Sequence, residues 1–95
     1  MANIDVRAIA GRGGWVFRVK VKEGGDETSH EVAVPEDYYD GLTGGACTSE
    51  QFVKASFEFL LEREPKESIL REFDITVISQ YFPDYEAEIR ERLDA

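Results

Sequence analysis

Residues 15–22 read Trp15-Val16-Phe17-Arg18-Val19-Lys20-Val21-Lys22, and their alternation decides the fold. Trp15, Phe17, Val19 and Val21 fall on one side of an extended strand, and Val16, Arg18, Lys20 and Lys22 on the other. A period of two with one basic face describes a sheet packed on one side and wet on the other. Working outward, Ile4, Val6, Ala8 and Ala10 alternate with Asn3, Asp5, Arg7 and Ile9 and predict a first strand. His30, Val32 and Val34 alternate with Ser29, Glu31 and Ala33 and predict a third.

Two glycine runs join these strands. Gly24-Gly25 is a two-residue hairpin signal, and Gly11-Arg12-Gly13-Gly14 reads as a turn. With those turns, Val19 stands opposite His30, Phe17 opposite Val32 and Trp15 opposite Val34. Toward the first strand, Ala10 stands opposite Trp15, Ala8 opposite Phe17 and Val6 opposite Val19. Both registers gather the apolar set on one side, and a slip of one residue would scatter it. The expectation is a three-stranded antiparallel meander with the second strand in the centre and two open edges.

The remainder has helical periodicity. Pro35 to Asp40 reads as a short helical turn, followed by a loop from Gly41 to Gly45. Thr48-Ser49-Glu50-Gln51 fits a capping box, with Cys47 and Phe52 as the hydrophobic staple. The helix it opens runs to about Glu64, before Pro65. Its apolar positions, from Phe52 to Leu61, span more than one stripe, so it is expected to be covered on both sides. Pro65 opens a short helix through Ile69, Leu70 and Phe73. Asp74 caps another, with Phe73 and Ile78 as its staple, and Pro83 starts a last helix with Tyr85, Ile89 and Leu93 as its buried stripe. The predicted fold class is α+β: a three-stranded antiparallel meander followed by three or four helices packed on one face of the sheet. Residues 1–95 form a single domain, with 1–34 the β-meander and 35–95 the helical half.

Ninety-five residues at 42% hydrophobic content are apolar enough for a packed core. The net charge of −9 opposes generic binding to nucleic acid or to an anionic membrane surface, and it suits solubility or a basic partner. The charge is uneven: residues 1–47 carry 5 basic and 8 acidic groups, and residues 48–95 carry 6 and 12. The helical half is therefore the acidic half. One cysteine, Cys47, cannot form an internal disulfide, the start has no signal-peptide pattern, and no apolar run is long enough to span a bilayer. A cytoplasmic protein without a membrane partner is the expectation.

The stretch from Phe57 through Glu64-Pro65-Lys66-Glu67 to Asp74, with Ile78 and Tyr81-Phe82-Pro83-Asp84-Tyr85, resembles a group of short uncharacterised prokaryotic proteins with strand-rich N-terminal halves. The resemblance implies a free-standing small cytosolic protein and carries over no active site.

No catalytic or cofactor motif stands in the chain. His30 falls on the apolar face without an accompanying nucleophile and reads as a half-buried core residue. Cys47 has no basic neighbour to lower its pKa and reads as part of the staple. His30, Cys47 and the carboxylates lack any metal-ligand spacing, so no cofactor or metal is expected. Glu36, Asp37 and Asp40 lack the alternation of a calcium loop and read as a solvated helix start with Tyr38 and Tyr39 packed inward. The outer face of the sheet is the candidate interaction surface. The register sets Ile9, Val16 and Ala33 in one row, Arg7, Arg18 and Glu31 in the next, and Asp5, Lys20 and Ser29 beyond. Arg7, Ile9, Val16, Arg18, Lys20 and Ala33 are its central residues. The expected function is a non-enzymatic interaction or regulatory module, binding a protein partner or a second copy through this face or an edge strand. The alternative is nucleic-acid binding through Arg7, Arg12, Arg18, Lys20 and Lys22.

Overall fold

The central hairpin is closed by two glycines in the left-handed region, Gly24 at φ 60° and Gly25 at φ 86°, which suits the twist of the strands they join. In this computed structural model, which describes residues 2–11 and 13–94, β1 spans Asn3–Ala10, β2 Gly14–Glu23 and β3 Asp26–Pro35. The β2–β3 register is the expected one, with Val19 opposite His30, Phe17 opposite Val32 and Trp15 opposite Val34. Along β1, Val6 stands opposite Val19 and Ala8 opposite Phe17, but a bulge then intervenes. Ala10 lies opposite Val16 rather than Trp15, and Ile9 is the unpaired residue. The expected row of Ile9, Val16 and Ala33 is thus broken at Ile9. The reason lies beyond the bulge. Gly14 has φ 154°, and a Cβ there would stand 2.3 Å from the Val34 carbonyl oxygen. The chain therefore enters β2 hard against β3, and β1 reaches the glycine-rich turn with one residue more than an even pairing needs. The predicted turn falls partly on Arg12, which lies outside the described residues.

The meander is not the whole sheet. Glu72–Asp74 forms a fourth strand, β4, parallel to β3, and the strand order is β1-β2-β3-β4. The short helix expected from Pro65 through Phe73 is therefore corrected to a 3-10 turn at Lys66–Ser68 followed by extended chain. Apolar residues at 69, 70 and 73 fit a helix, but the exposed edge of β3 carries backbone groups in need of partners. The Glu31 N–H donates to the Arg71 carbonyl at 2.6 Å, and Val32 pairs with Phe73. The α+β class stands, but the sheet is mixed and four-stranded rather than a three-stranded antiparallel meander, and the set of helices differs from the expected one.

Among the described residues four α-helices complete the fold: α1 Glu36–Thr43, α2 Ser49–Arg63, α3 Ile78–Tyr81 and α4 Tyr85–Asp94. Helix α1 runs through Gly41, longer than expected, and ends at Gly44 with φ 62°. Helix α2 begins with the full capping box: Gln51 N–H donates to Thr48 Oγ1 at 3.1 Å, and Thr48 N–H to Gln51 Oε1 at 2.9 Å. Phe52, Val53, Ala55, Ser56, Phe57, Phe59 and Leu60 are all buried, so α2 is covered on two sides, and Glu50, Lys54, Glu58 and Glu62 mark its exposed stripe. On one side lie Phe17, Val19, Val32 and Val34 of the sheet, and on the other Tyr85 and Ile89 of α4. The Tyr85 hydroxyl and Ser56 Oγ are 2.7 Å apart in this buried seam, and Ser56 Oγ also donates to the Phe52 carbonyl. Arg63 lies 3.7 Å over the Phe59 ring and reaches Asp84 at 2.8 Å and Glu88 at 3.3 Å. Asp74 caps the 3-10 turn Ile75–Val77 that leads into α3.

Phe17 is 1% exposed at the middle of this core. Phe17→Ala is expected to lower unfolding free energy by about 3–5 kcal/mol, whereas Val16→Thr on the half-buried opposite face should change it by less than about 1 kcal/mol. Chemical denaturation of the two variants checks the assignment of faces. Equal losses would place Val16 in the core.

Candidate functional site

Two surfaces compete for a functional role, and they differ in how much apolar area they leave uncovered. The outer sheet face is the surface expected from the sequence. Its middle row runs Arg7, Arg18, Glu31 and Glu72 across the four strands, and the next runs Asp5, Lys20 and Ser29. Arg18 donates to Glu31 at 3.4 Å, with both side chains about half exposed. Val16 and Ala33 are neighbours in register and half-buried, while Ile9, displaced by the bulge, is 41% exposed. This face is thus mostly charged: Arg7, Arg18, Lys20 and Lys22 stand on β1 and β2 with Asp5 among them, and Glu27, Glu31 and Glu72 on β3 and β4.

The second surface is one the sequence reading missed. A groove of about 230 Å³ opens between the end of α2, the chain entering β4, and α3. Leu60, Ile69, Phe73 and Ile78 form its apolar floor and walls, Glu64 lines it at the α2 end, and Leu70 and Tyr81 stand at its margin. Leu70 is 51% exposed and Tyr81 68%. Among the described residues these two and Ile9 are the large apolar side chains left most open to water, so two of the three share one groove. The signal was present in the sequence as the adjacent pair Ile69-Leu70. An extended segment buries alternate residues, so once this stretch is a strand approach rather than a helix, one of the pair must face out.

His30 sets the position of the groove wall. It is 2% exposed and hydrogen-bonds at both ring nitrogens: Nδ1–H donates to the Leu70 carbonyl at 2.8 Å, and Nε2 accepts from the Thr28 hydroxyl at 2.9 Å. A carbonyl can only accept, which requires the proton on Nδ1 and leaves Nε2 as acceptor. The ring also packs on Phe57, with centroids 5.4 Å apart. His30 is thus more deeply buried than expected, and it ties β3 to the backbone of Leu70 itself. Burial pushes its pKa below the ordinary value, against the raising effect of the Leu70 carbonyl, and the Arg71 guanidinium adds to the lowering.

The other residues singled out by sequence have structural partners. The Tyr39 hydroxyl donates to the Cys47 carbonyl, the Tyr39 ring meets Trp15 edge-on at 5.3 Å, and burial pushes the Cys47 thiol pKa up. The Tyr38 hydroxyl donates to Glu86 at 2.8 Å and joins α1 to α4, and burial with that carboxylate raises its pKa. Glu36, Asp37 and Asp40 are exposed. No cluster of three or more His, Cys, Asp and Glu side chains forms a metal-ligand set among the described residues. No helix among them is long and apolar enough to cross a membrane. Comparison with protein-family models, curated proteins and solved structures finds no match for this chain.

The His30 geometry has a pH signature. The unfolded chain takes up a proton near pH 6.5, and the folded chain does so only at lower pH. The stability His30 contributes is therefore complete above about pH 6.5 and is lost as pH falls toward the folded value. Denaturation midpoints should drop between pH 8 and pH 5.5 in the wild type. His30→Gln should be less stable at pH 8 by about 1–3 kcal/mol, with a flatter profile over that range. An unchanged slope in the variant would remove His30 as its source.

Proposed function

We propose that this chain is a protein-interaction module without catalytic chemistry, docking its partner in the groove between α2, β4 and α3. The observation that carries the reading is the pairing of Leu70 and Tyr81, both more than half exposed, beside a groove floored by core side chains. Apolar side chains held open at one concavity mark a binding surface, because the fold itself would gain by covering them. The wall beneath Leu70 is held by a buried bond, so the surface is preorganised and pays little ordering entropy on docking. A cytosolic setting accords with the lone thiol of Cys47.

The outer sheet face supports a second reading, self-association. Arg7 and Arg18 lie on one half and Glu31 and Glu72 on the other. A second copy related by a two-fold axis would set each basic half against an acidic one. The same arrangement weighs against nucleic acid, since a strand laid along Arg7, Arg18, Lys20 and Lys22 would run beside Glu27, Glu31 and Glu72.

Photo-crosslinking in cells separates the two surfaces. With benzoylphenylalanine in place of Tyr81, an adduct with another protein is expected, and Leu70→Ser should abolish it. With the same group in place of Lys20, no such adduct should form. Adducts at position 20 and none at 81 would move the interaction to the sheet, and none at either would refute the module reading.

A further inference from the structure

Resting on the groove reading above, we infer that the docked segment carries a lysine or arginine next to its apolar anchor, and that Glu64 receives this cation. Glu64 is the one charged side chain among the residues lining the groove. It is half-buried, and its carboxylate takes no hydrogen bond and forms no ion pair among the described residues. The cations adjacent to it in the chain are already engaged. Arg63 is turned to Asp84 and Glu88 and lies over Phe59, and the Lys66 ammonium holds Glu67 at 2.7 Å.

The position is also electrostatically adverse for a carboxylate. Glu64 is the C-cap of α2, and its N–H donates to the Leu60 carbonyl at 2.8 Å. The last carbonyls of a helix make its C-terminus negative, so an anion there is repelled and a cation attracted. No side chain among the described residues pairs with the Glu64 carboxylate, and a cation arriving from outside would meet the carboxylate and the helix end together, beside an apolar groove. Charge selects the occupant in the same sense. The chain carries −9 overall and its helical half the larger share, so a second copy would bring like charge to like, whereas a basic segment is drawn in. An amphipathic segment with Leu, Ile or Phe flanked by Lys or Arg fits both features.

Two dye-labelled amphipathic peptides of about 15 residues, one of Leu and Lys and one of Leu and Glu with the same Leu positions, test this by fluorescence anisotropy at about 0.15 M salt. The Leu/Lys peptide is expected to bind at least about tenfold more tightly than the Leu/Glu peptide. Glu64→Gln should weaken it about three- to fivefold. Glu50→Gln makes the same charge change about 20 Å away at the other end of α2 and should leave affinity within about twofold. Leu70→Ser, at an exposed site where the fold should survive, should abolish binding. Equal losses in Glu64→Gln and Glu50→Gln would reduce the effect to bulk charge and overturn the inference. Full binding in Glu64→Gln, with loss in Leu70→Ser, would overturn the inference and leave the docking groove standing. Failure of both peptides to bind would count against groove and cation site together. A dimer in light scattering that Tyr81→Ala converts to monomer would make the occupant a second copy, against the inference.

Discussion

The bond from His30 Nδ1 to the Leu70 carbonyl is the constraint on which the second half of the structure depends. It sits at the edge of β3, where the meander would otherwise end in unpaired backbone groups, and it captures the chain returning from α2 after Pro65. Once Leu70 is held, the Arg71 carbonyl meets the Glu31 N–H, β4 pairs in parallel, and Phe73 turns inward onto Phe57 with ring centroids 6.0 Å apart. The backbone then has to place Leu70 outward. A buried polar group, doubly satisfied, thus decides which apolar residue the fold leaves in water. The local cost of burying an imidazole is offset by two hydrogen bonds and an aromatic neighbour.

Helix α2 is the second organising element, because it buries residues on two sides and leaves one solvent-facing stripe, Glu50, Lys54, Glu58 and Glu62. Its buried residues meet the sheet on one side and α4 on the other, and the polar contacts across that seam all involve groups that can be satisfied there. Ser56 with Tyr85 lies deep, and Arg63 with Asp84 and Glu88 lies at the rim. The rim pairs are partly exposed and individually weak. Their arrangement over Phe59 consumes the cation that would otherwise neutralise the end of the helix, and so leaves Glu64 alone.

The strands and the capped helix were legible because their signals are local. Period-two alternation from Trp15 to Lys22, the Gly24-Gly25 turn and the Thr48–Gln51 box each act within a few residues, and the β2–β3 register follows from them. Even so, the β1 register failed at Ile9, since the glycine-rich connection to β2 admits more than one offset and the bulge that chooses between them is a property of the assembled sheet. The segment 65–74 failed for a stronger version of the same reason. Ile69, Leu70 and Phe73 satisfy a helical spacing, and nothing nearby says that an unpaired strand edge forty residues earlier will claim them. The outer-face candidates Arg7, Val16, Arg18, Lys20 and Ala33 do lie together on the sheet. The apolar groove was hidden because exposure of Leu70 and Tyr81 is a property of the assembled layers.

The bulge between Ala8 and Ala10 bears on how the molecule behaves in crowded solution. In a sheet ordered β1-β2-β3-β4, the β1 side presents the longer edge, eight residues against three in β4. A flat edge of that length is a template on which further chains can polymerise. The extra residue at Ile9 breaks the ladder's regularity one residue before the strand ends, and Asp5 and Arg7 add charge along the rest. The same irregularity that displaces one side chain on the outer face thus makes the long β1 edge a poorer template for a further strand.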